Sequence, residues 1–207
     1  MELGSYRDVR LPLDIQVQGE VAQLLRGVGI GAGESYVVMH AGAKRQTNQW
    51  PVERYAAVAD EIVRRWDTRL ILTGSAAELP FVAEVASRMA ARPVVLCGKM
   101  SLRQLAGVLR GAVLYVGNDT GPMHIAAAVG TKIVAIFSAR DFPERWSPAG
   151  EGHLTLRRDA PCSPCFRESC NRDQFCIKAI SADDVLAAVD AQFNVLKFRV
   201  LAASELA

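Results

Sequence analysis

Apolar positions along this chain alternate between two rhythms. Short unbroken runs fall at Tyr36–His40 (YVVMH), Arg69–Thr73 (RLILT), Val94–Leu96, Val113–Val116 and Lys132–Phe137 (KIVAIF). Between them, apolar residues recur every three or four positions. Unbroken runs fit strands buried on both faces, and a 3.6-residue recurrence fits amphipathic helices. Within Val52–Trp66, residues Tyr55, Val58, Ala59, Ile62 and Val63 share one helical face, and Pro51 suits the helix entry. Further helices are predicted over Glu78–Met89, Ser101–Arg110, Gly121–Val129 and Ser181–Val195. Ser101 with Gln104 spells a capping box, and Ser181 stands at the same spacing from Asp184.

Strands alternating with helices predict βαβ units, and so an α/β fold with a doubly wound, Rossmann-like parallel sheet. Right-handed crossovers put every strand-to-helix loop on one sheet edge, where ligands bind at the reversal of strand order. Those loops are 41–51, 74–77, 97–100 and 117–121. Ahead of the sheet, Arg10–Asp14 reads as an extended linker, because Pro12 biases Leu11 away from helix, and a short helix follows from Ile15 to Arg26. The run Gly27-Val-Gly29-Ile-Gly31-Ala32 matches the letters of a dinucleotide fingerprint. It follows a helix and precedes a strand, the reverse of what that fingerprint needs, so a helix C-cap and turn explain it better.

Composition narrows the picture. The chain has 207 residues, 50% apolar and 22% charged, which is ordinary for a globular domain. A net charge of +2 gives no electrostatic case for nucleic acid as a partner. No apolar run approaches the ~20 residues that span a bilayer, and the start lacks the layout of a signal peptide. The expectation is a soluble cytoplasmic protein, with a peripheral contact at the inner face of the membrane left open. Of five cysteines, Cys97 stands alone, whereas Cys162, Cys165, Cys170 and Cys176 form a C-x2-C-x4-C-x5-C cluster. That spacing suits a structural zinc site, one or two local disulfides, or four free thiols.

All four loops carry candidate chemistry. In Gly117-Asn-Asp119-Thr120-Gly121-Pro122-Met-His124, Thr120 or Asp119 can cap the following helix and Pro122 fits its first turn. Gly121 leaves room for a ligand, the free amides and helix dipole suit a pyrophosphate, and His124 is near enough to add a donor. In the first loop, Gly42 and Ala43 permit close approach of a phosphate, and Lys44 or Arg45 offsets its charge. Glu78 follows the second strand, where a carboxylate commonly accepts ribose hydroxyls, and Met100 follows the third, where it could cover a base.

From His40 to Val189 the chain resembles the C-terminal half of glycosyltransferase family 9, the ADP-heptose:lipopolysaccharide heptosyltransferases. The matching pieces, in order, are HAGAKRQTNQWP, LTGSAAE, KMSLRQLAGVLRGA, GNDTGPMHIAAAVGT and the Cys-rich segment. The resemblance implies the nucleotide-sugar-binding, C-terminal domain of a two-domain GT-B glycosyltransferase. It assigns Asp119, Thr120, Gly121 and His124 to pyrophosphate and sugar, Glu78 to ribose and Met100 to adenine. Family members carry a lysine just before the Trp-Pro pair; here Asn48-Gln49 precede Trp50-Pro51, with Lys44 or Arg45 as substitutes and Asn48 as a binding candidate.

The domain division expected from the resemblance is a linker and leading helix over 1–34, a Rossmann-like unit over 35–180 with a knuckle at 162–176, and a closing helix over 181–207. The acceptor base and acceptor site are expected in an N-terminal domain, in cis or trans, so that the chain binds an ADP-sugar donor and transfers little alone. No cofactor is required for the chemistry. The full enzyme would move a heptose, with inversion, to a lipopolysaccharide-core or related lipid-linked glycan. A non-catalytic nucleotide-sugar-binding module is the rival reading. Phe193–Leu201 is expected to contribute to an exposed apolar interdomain patch.

Overall fold

The computed structural model describes residues 9–204, with side chains for residues 9–195. Its elements in chain order are α1 (Ile15–Gly27), β1 (Tyr36–His40), α2 (Val52–Trp66), β2 (Arg69–Thr73), α3 (Leu79–Arg88), β3 (Val94–Val95), α4 (Leu102–Gly111), β4 (Leu114–Asn118), α5 (Gly121–Ala128), β5 (Ile133–Phe137), β6 (Leu154–Arg157), α6 (Phe175–Lys178) and α7 (Ala182–Ser204). The six strands form one sheet in the order β3-β2-β1-β4-β5-β6, with every pairing parallel. This is the doubly wound Rossmann-like arrangement, and its order reverses between β1 and β4.

Strand periodicity explains the two layers. Val37 and Met39 point into one core with Tyr55, Ile62, Val82 and Val189, which places α2, α3 and α7 on that face. Tyr36 and Val38 point into the other with Val17, Val108, Leu109 and Met123, which places α1, α4 and α5 there. Successive strand side chains alternate faces, so an unbroken apolar run feeds both cores. Each buried aliphatic or aromatic side chain contributes about 1.5–3 kcal/mol against conformational entropy. The helix starts follow local capping. The Ser101 hydroxyl accepts from the Gln104 amide at 3.2 Å and the Ser101 amide donates to Gln104 Oε1 at 3.0 Å. Ser181 and Asp184 repeat the pattern at 3.0 and 2.9 Å.

Several expectations change. β6 lies at the sheet edge with no fully buried residue, and its sequence LTLR lacks the apolar run that marks the central strands. The helix expected from Glu78 starts as a short 3-10 turn over Ala76–Glu78, and α3 follows. The glycine-rich run after α1 is a turn, with Gly29 and Gly33 both at φ +81°. Phe193 does not join an exposed patch. It is 8% exposed and stacks on Trp66 with ring centroids 4.3 Å apart and planes 9° apart, because α7 lies across α2. The side chains of 196–201 fall outside the described residues.

Candidate functional site

Register alone assembles the site floor. His40 ends β1 beside Thr73 of β2 and beside Gly117 of β4. Above these strand ends lies a cleft of about 470 Å³, and all four predicted loops contribute to its lining. Ala43, Lys44, Arg45 and Asn48 come from the first loop, Gly74, Ser75 and Glu78 from the second, and Met100 and Ser101 from the third. Asp119, Thr120, Gly121 and Pro122 come from the fourth, and Leu102 and Leu105 of α4 complete an apolar wall beside Met100.

The first loop is held from beneath. Asn118 is fully buried; its Nδ2 donates to the Ala41 carbonyl at 2.9 Å and its Oδ1 accepts from the Tyr55 hydroxyl at 2.5 Å. Asn48, expected as a ligand contact, is buried and acts as a bridge. Its Nδ2 donates to the Asp119 carbonyl at 3.1 Å, and its Oδ1 accepts from the Ser138 hydroxyl at 2.7 Å. Lys44 stands exposed at the rim, whereas Arg45 pairs with Glu168 at 3.5 Å.

Gly42 has a neighbour that its sequence surroundings do not announce. A Cβ there would lie 2.6 Å from Cδ and 2.7 Å from Oε1 of Glu78, so the missing side chain admits the carboxylate. Glu78 Oε2 accepts from the Ser75 amide at 2.7 Å, which leaves Oε1 toward the cleft and 4.0 Å from His40 Nε2. Burial lowers the His40 pKa, with Glu78 opposing, so the imidazole is neutral at pH 7. At Gly121, nothing lies within 4 Å of the position a Cβ would take, and the N-terminus of α5 opens to the cleft. Thr120 occupies the N-cap position without a side-chain cap bond; its hydroxyl donates to the Asn118 carbonyl at 3.3 Å.

Asp119 has its pKa raised to about 6, first by burial and then by Asp141, against Arg140 and Arg45. Mild acidification below that value removes a negative charge from beside the N-terminus of α5. His124 lies in the first turn of α5, but its ring meets Trp146 edge-on, with centroids 6.5 Å apart, and is not among the cleft walls. The loop after β5 captures it. Three useful residues were not singled out from sequence: His40, Asn118 and Leu102. The available signal was that His40 and Asn118 are polar residues ending apolar strands at the expected reversal of strand order.

The four clustered cysteines are not joined in disulfides in this structure and face one small cavity. Among the described residues, no three His, Cys, Asp or Glu side chains are arranged to hold a metal ion. Backbone amides of Arg172 and Gln174 donate to Cys170 Sγ at 3.3 Å each, and that of Ala139 to Cys176 Sγ at 3.4 Å. This lobe grips the first loop: Thr47 donates through its amide to the Glu168 carbonyl at 3.2 Å and through its hydroxyl to the Arg167 carbonyl at 3.0 Å. Gln174 Nε2 donates to the Gln46 and Gln49 carbonyls.

Known proteins agree with this geometry. The chain is 32% identical over 162 residues to lipopolysaccharide heptosyltransferase 3 of Escherichia coli, an overlap covering 77% of this chain and 47% of that protein. Its fold matches the crystal structure of a family 9 glycosyl transferase from Veillonella parvula with a TM-score of 0.79 at 22% identity, covering 88% of this chain and 53% of the other. It matches E. coli ADP-heptose lps heptosyltransferase II with a TM-score of 0.75 at 19% identity, covering 91% and 54%. The chain thus spans about half the length of these relatives. The family model for glycosyltransferase family 9 (heptosyltransferase) matches residues 13–175, and the chain belongs to that family.

Proposed function

We propose that the cleft holds the ADP portion of an ADP-activated heptose, and that this chain is the donor-binding half of a GT-B heptosyltransferase acting on a lipopolysaccharide-core or related glycan. The observation that carries this reading is the convergence, at the strand-order reversal, of an open helix N-terminus, a carboxylate and an apolar wall in one cleft. Met100, Leu102 and Leu105 form the face for adenine, Glu78 the acceptor for ribose, and the α5 N-terminus with Thr120 and Lys44 the cradle for the diphosphate. Asp119 and Gly121 stand at its sugar end. Oriented amides and a cation stabilise a departing diphosphate without a metal ion. The acceptor and the base that deprotonates it belong to the N-terminal domain that the family resemblance implies. Residues 35–180 make up the donor-binding unit, led in by 1–34 and closed by 181–207. The reaction is placed at the cytoplasmic face of the membrane; no helix among the described residues is long and apolar enough to cross it.

Titration calorimetry tests the site. ADP should bind, and Glu78→Gln should weaken ADP and adenosine alike by about tenfold while leaving pyrophosphate nearly unchanged, since hydrogen bonds to charged groups contribute about 1.5–3 kcal/mol. Absence of ADP binding by the unmodified chain would end this reading. Loss of pyrophosphate with adenosine retained would reverse the pocket.

For the Cys-rich lobe we propose a structural zinc knuckle. Four clustered thiols match the ion in kind and number, and binding it would draw them into the tetrahedral arrangement that the described residues do not show. The ion would brace residues 162–176 and take no part in transfer. Protein purified without chelator should carry about one zinc per chain. No zinc, with Cys97 the only titratable thiol, would establish disulfides instead.

A further inference from the structure

We propose that His40 and Glu78 form a matched donor–acceptor pair that reads one ribose hydroxyl, so that His40 sets a preference for ribonucleotides over deoxyribonucleotides; this rests on the nucleotide reading above. His40 is 4% exposed, and its ring is fixed on one side by Nδ1 against Thr73 Oγ1 at 3.1 Å. Its other nitrogen, Nε2, turns into the cleft, where the nearest partner is Glu78 Oε1 at 4.0 Å. That separation is too long for a hydrogen bond, so Nε2, which lines the cleft, is left to a partner that enters it.

The geometry points to what the partner is. The facing carboxylate favours the tautomer with its proton on Nε2, and the Thr73 hydroxyl then donates to Nδ1. Nε2 is thereby a donor and Glu78 Oε1 an acceptor. Glu78 cannot close the gap by swinging inward, because its Oε2 is held by the Ser75 amide and its carboxyl packs over Gly42. A hydroxyl oxygen about 2.8 Å from each of two atoms 4.0 Å apart sees them at an angle of about 90°. It accepts from the imidazole and donates to the carboxylate, using both of its capacities. Water can take the same place before a nucleotide binds, but a ribose lacking that hydroxyl leaves the pair unmatched once the nucleotide has displaced it.

The test titrates ADP, 2′-deoxy-ADP and 3′-deoxy-ADP into the full chain. One of the two deoxy analogues should bind about tenfold or more weakly than ADP, the cost of an unmatched buried donor and acceptor. His40→Asn keeps a polar group toward Thr73 and loses the donor at Nε2. It should bring the ADP to deoxy-ADP ratio close to one, with affinity for the weak analogue changed less than about threefold. His40→Gln, whose amide nitrogen reaches the place of Nε2, should restore part of the ratio. Equal binding of all three nucleotides by the unmodified chain overturns the proposal without recourse to any variant. ADP binding with the hydroxyl preference intact in His40→Asn removes the His40 assignment and leaves the nucleotide reading standing, whereas no ADP binding at all removes both.

Discussion

Replacing Gly117 with alanine is expected to lower stability by about 2–4 kcal/mol, the range for overpacking at a site that cannot relax, and to abolish measurable ADP binding. An added Cβ would lie 2.7 Å from the His40 carbonyl oxygen and 2.7 Å from the Tyr115 hydroxyl. The first of these is backbone. Because His40 and Gly117 are register partners across β1 and β4, the strain opens the central strand pair exactly where the cleft is founded — no flexible side chain can absorb it. Chemical denaturation alongside calorimetry checks both halves of the claim. An unchanged unfolding midpoint would show that the two strand ends are looser than the geometry describes.

The second large effect is expected at Asn118. Asn118→Ala strands the Tyr55 hydroxyl and the Ala41 carbonyl, both paired with Asn118 in a fully buried setting. Each unsatisfied buried group costs about 1–3 kcal/mol, so a combined loss of about 3–5 kcal/mol follows. ADP affinity should fall as well, since the first loop loses its tie to β4. Adding Tyr55→Phe should recover part of the stability, because removing both partners is cheaper than orphaning one. A double variant no more stable than Asn118→Ala would mean that the loss comes from the loop and not from the hydroxyl.

The sequence carried most of the architecture, for identifiable reasons. Central strands are buried on both faces and announce themselves as apolar runs. β6 has one neighbour, half-exposed side chains and no such run, and so left no comparable signal. The four ligand loops were legible because a parallel sheet places them together by topology, whatever their composition. What was not legible depends on pairs distant in the chain. Gly42 looked like room for a phosphate because nothing near it in sequence says that Glu78 fills the space. Asn48 looked like a ligand contact and does line the cleft, but its amide also ties Asp119 to Ser138, which the sequence did not announce. His124 was expected at the anion site, and its ring lies edge-on to Trp146 and outside the residues that line the cleft. In each case the residue type was informative and its partner was set by the tertiary fold.

The bonds that run from Gln46, Thr47 and Gln49 to Arg167, Glu168 and Gln174 make the first loop common property of two regions. Linked equilibria are reciprocal. Whatever free energy the cysteine lobe lends to one geometry of that loop is returned to the lobe when a ligand selects the same geometry. A chemical change at sulfur that shifts this geometry is therefore expected to alter binding in the cleft, and occupancy of the cleft to alter how readily those sulfur atoms react.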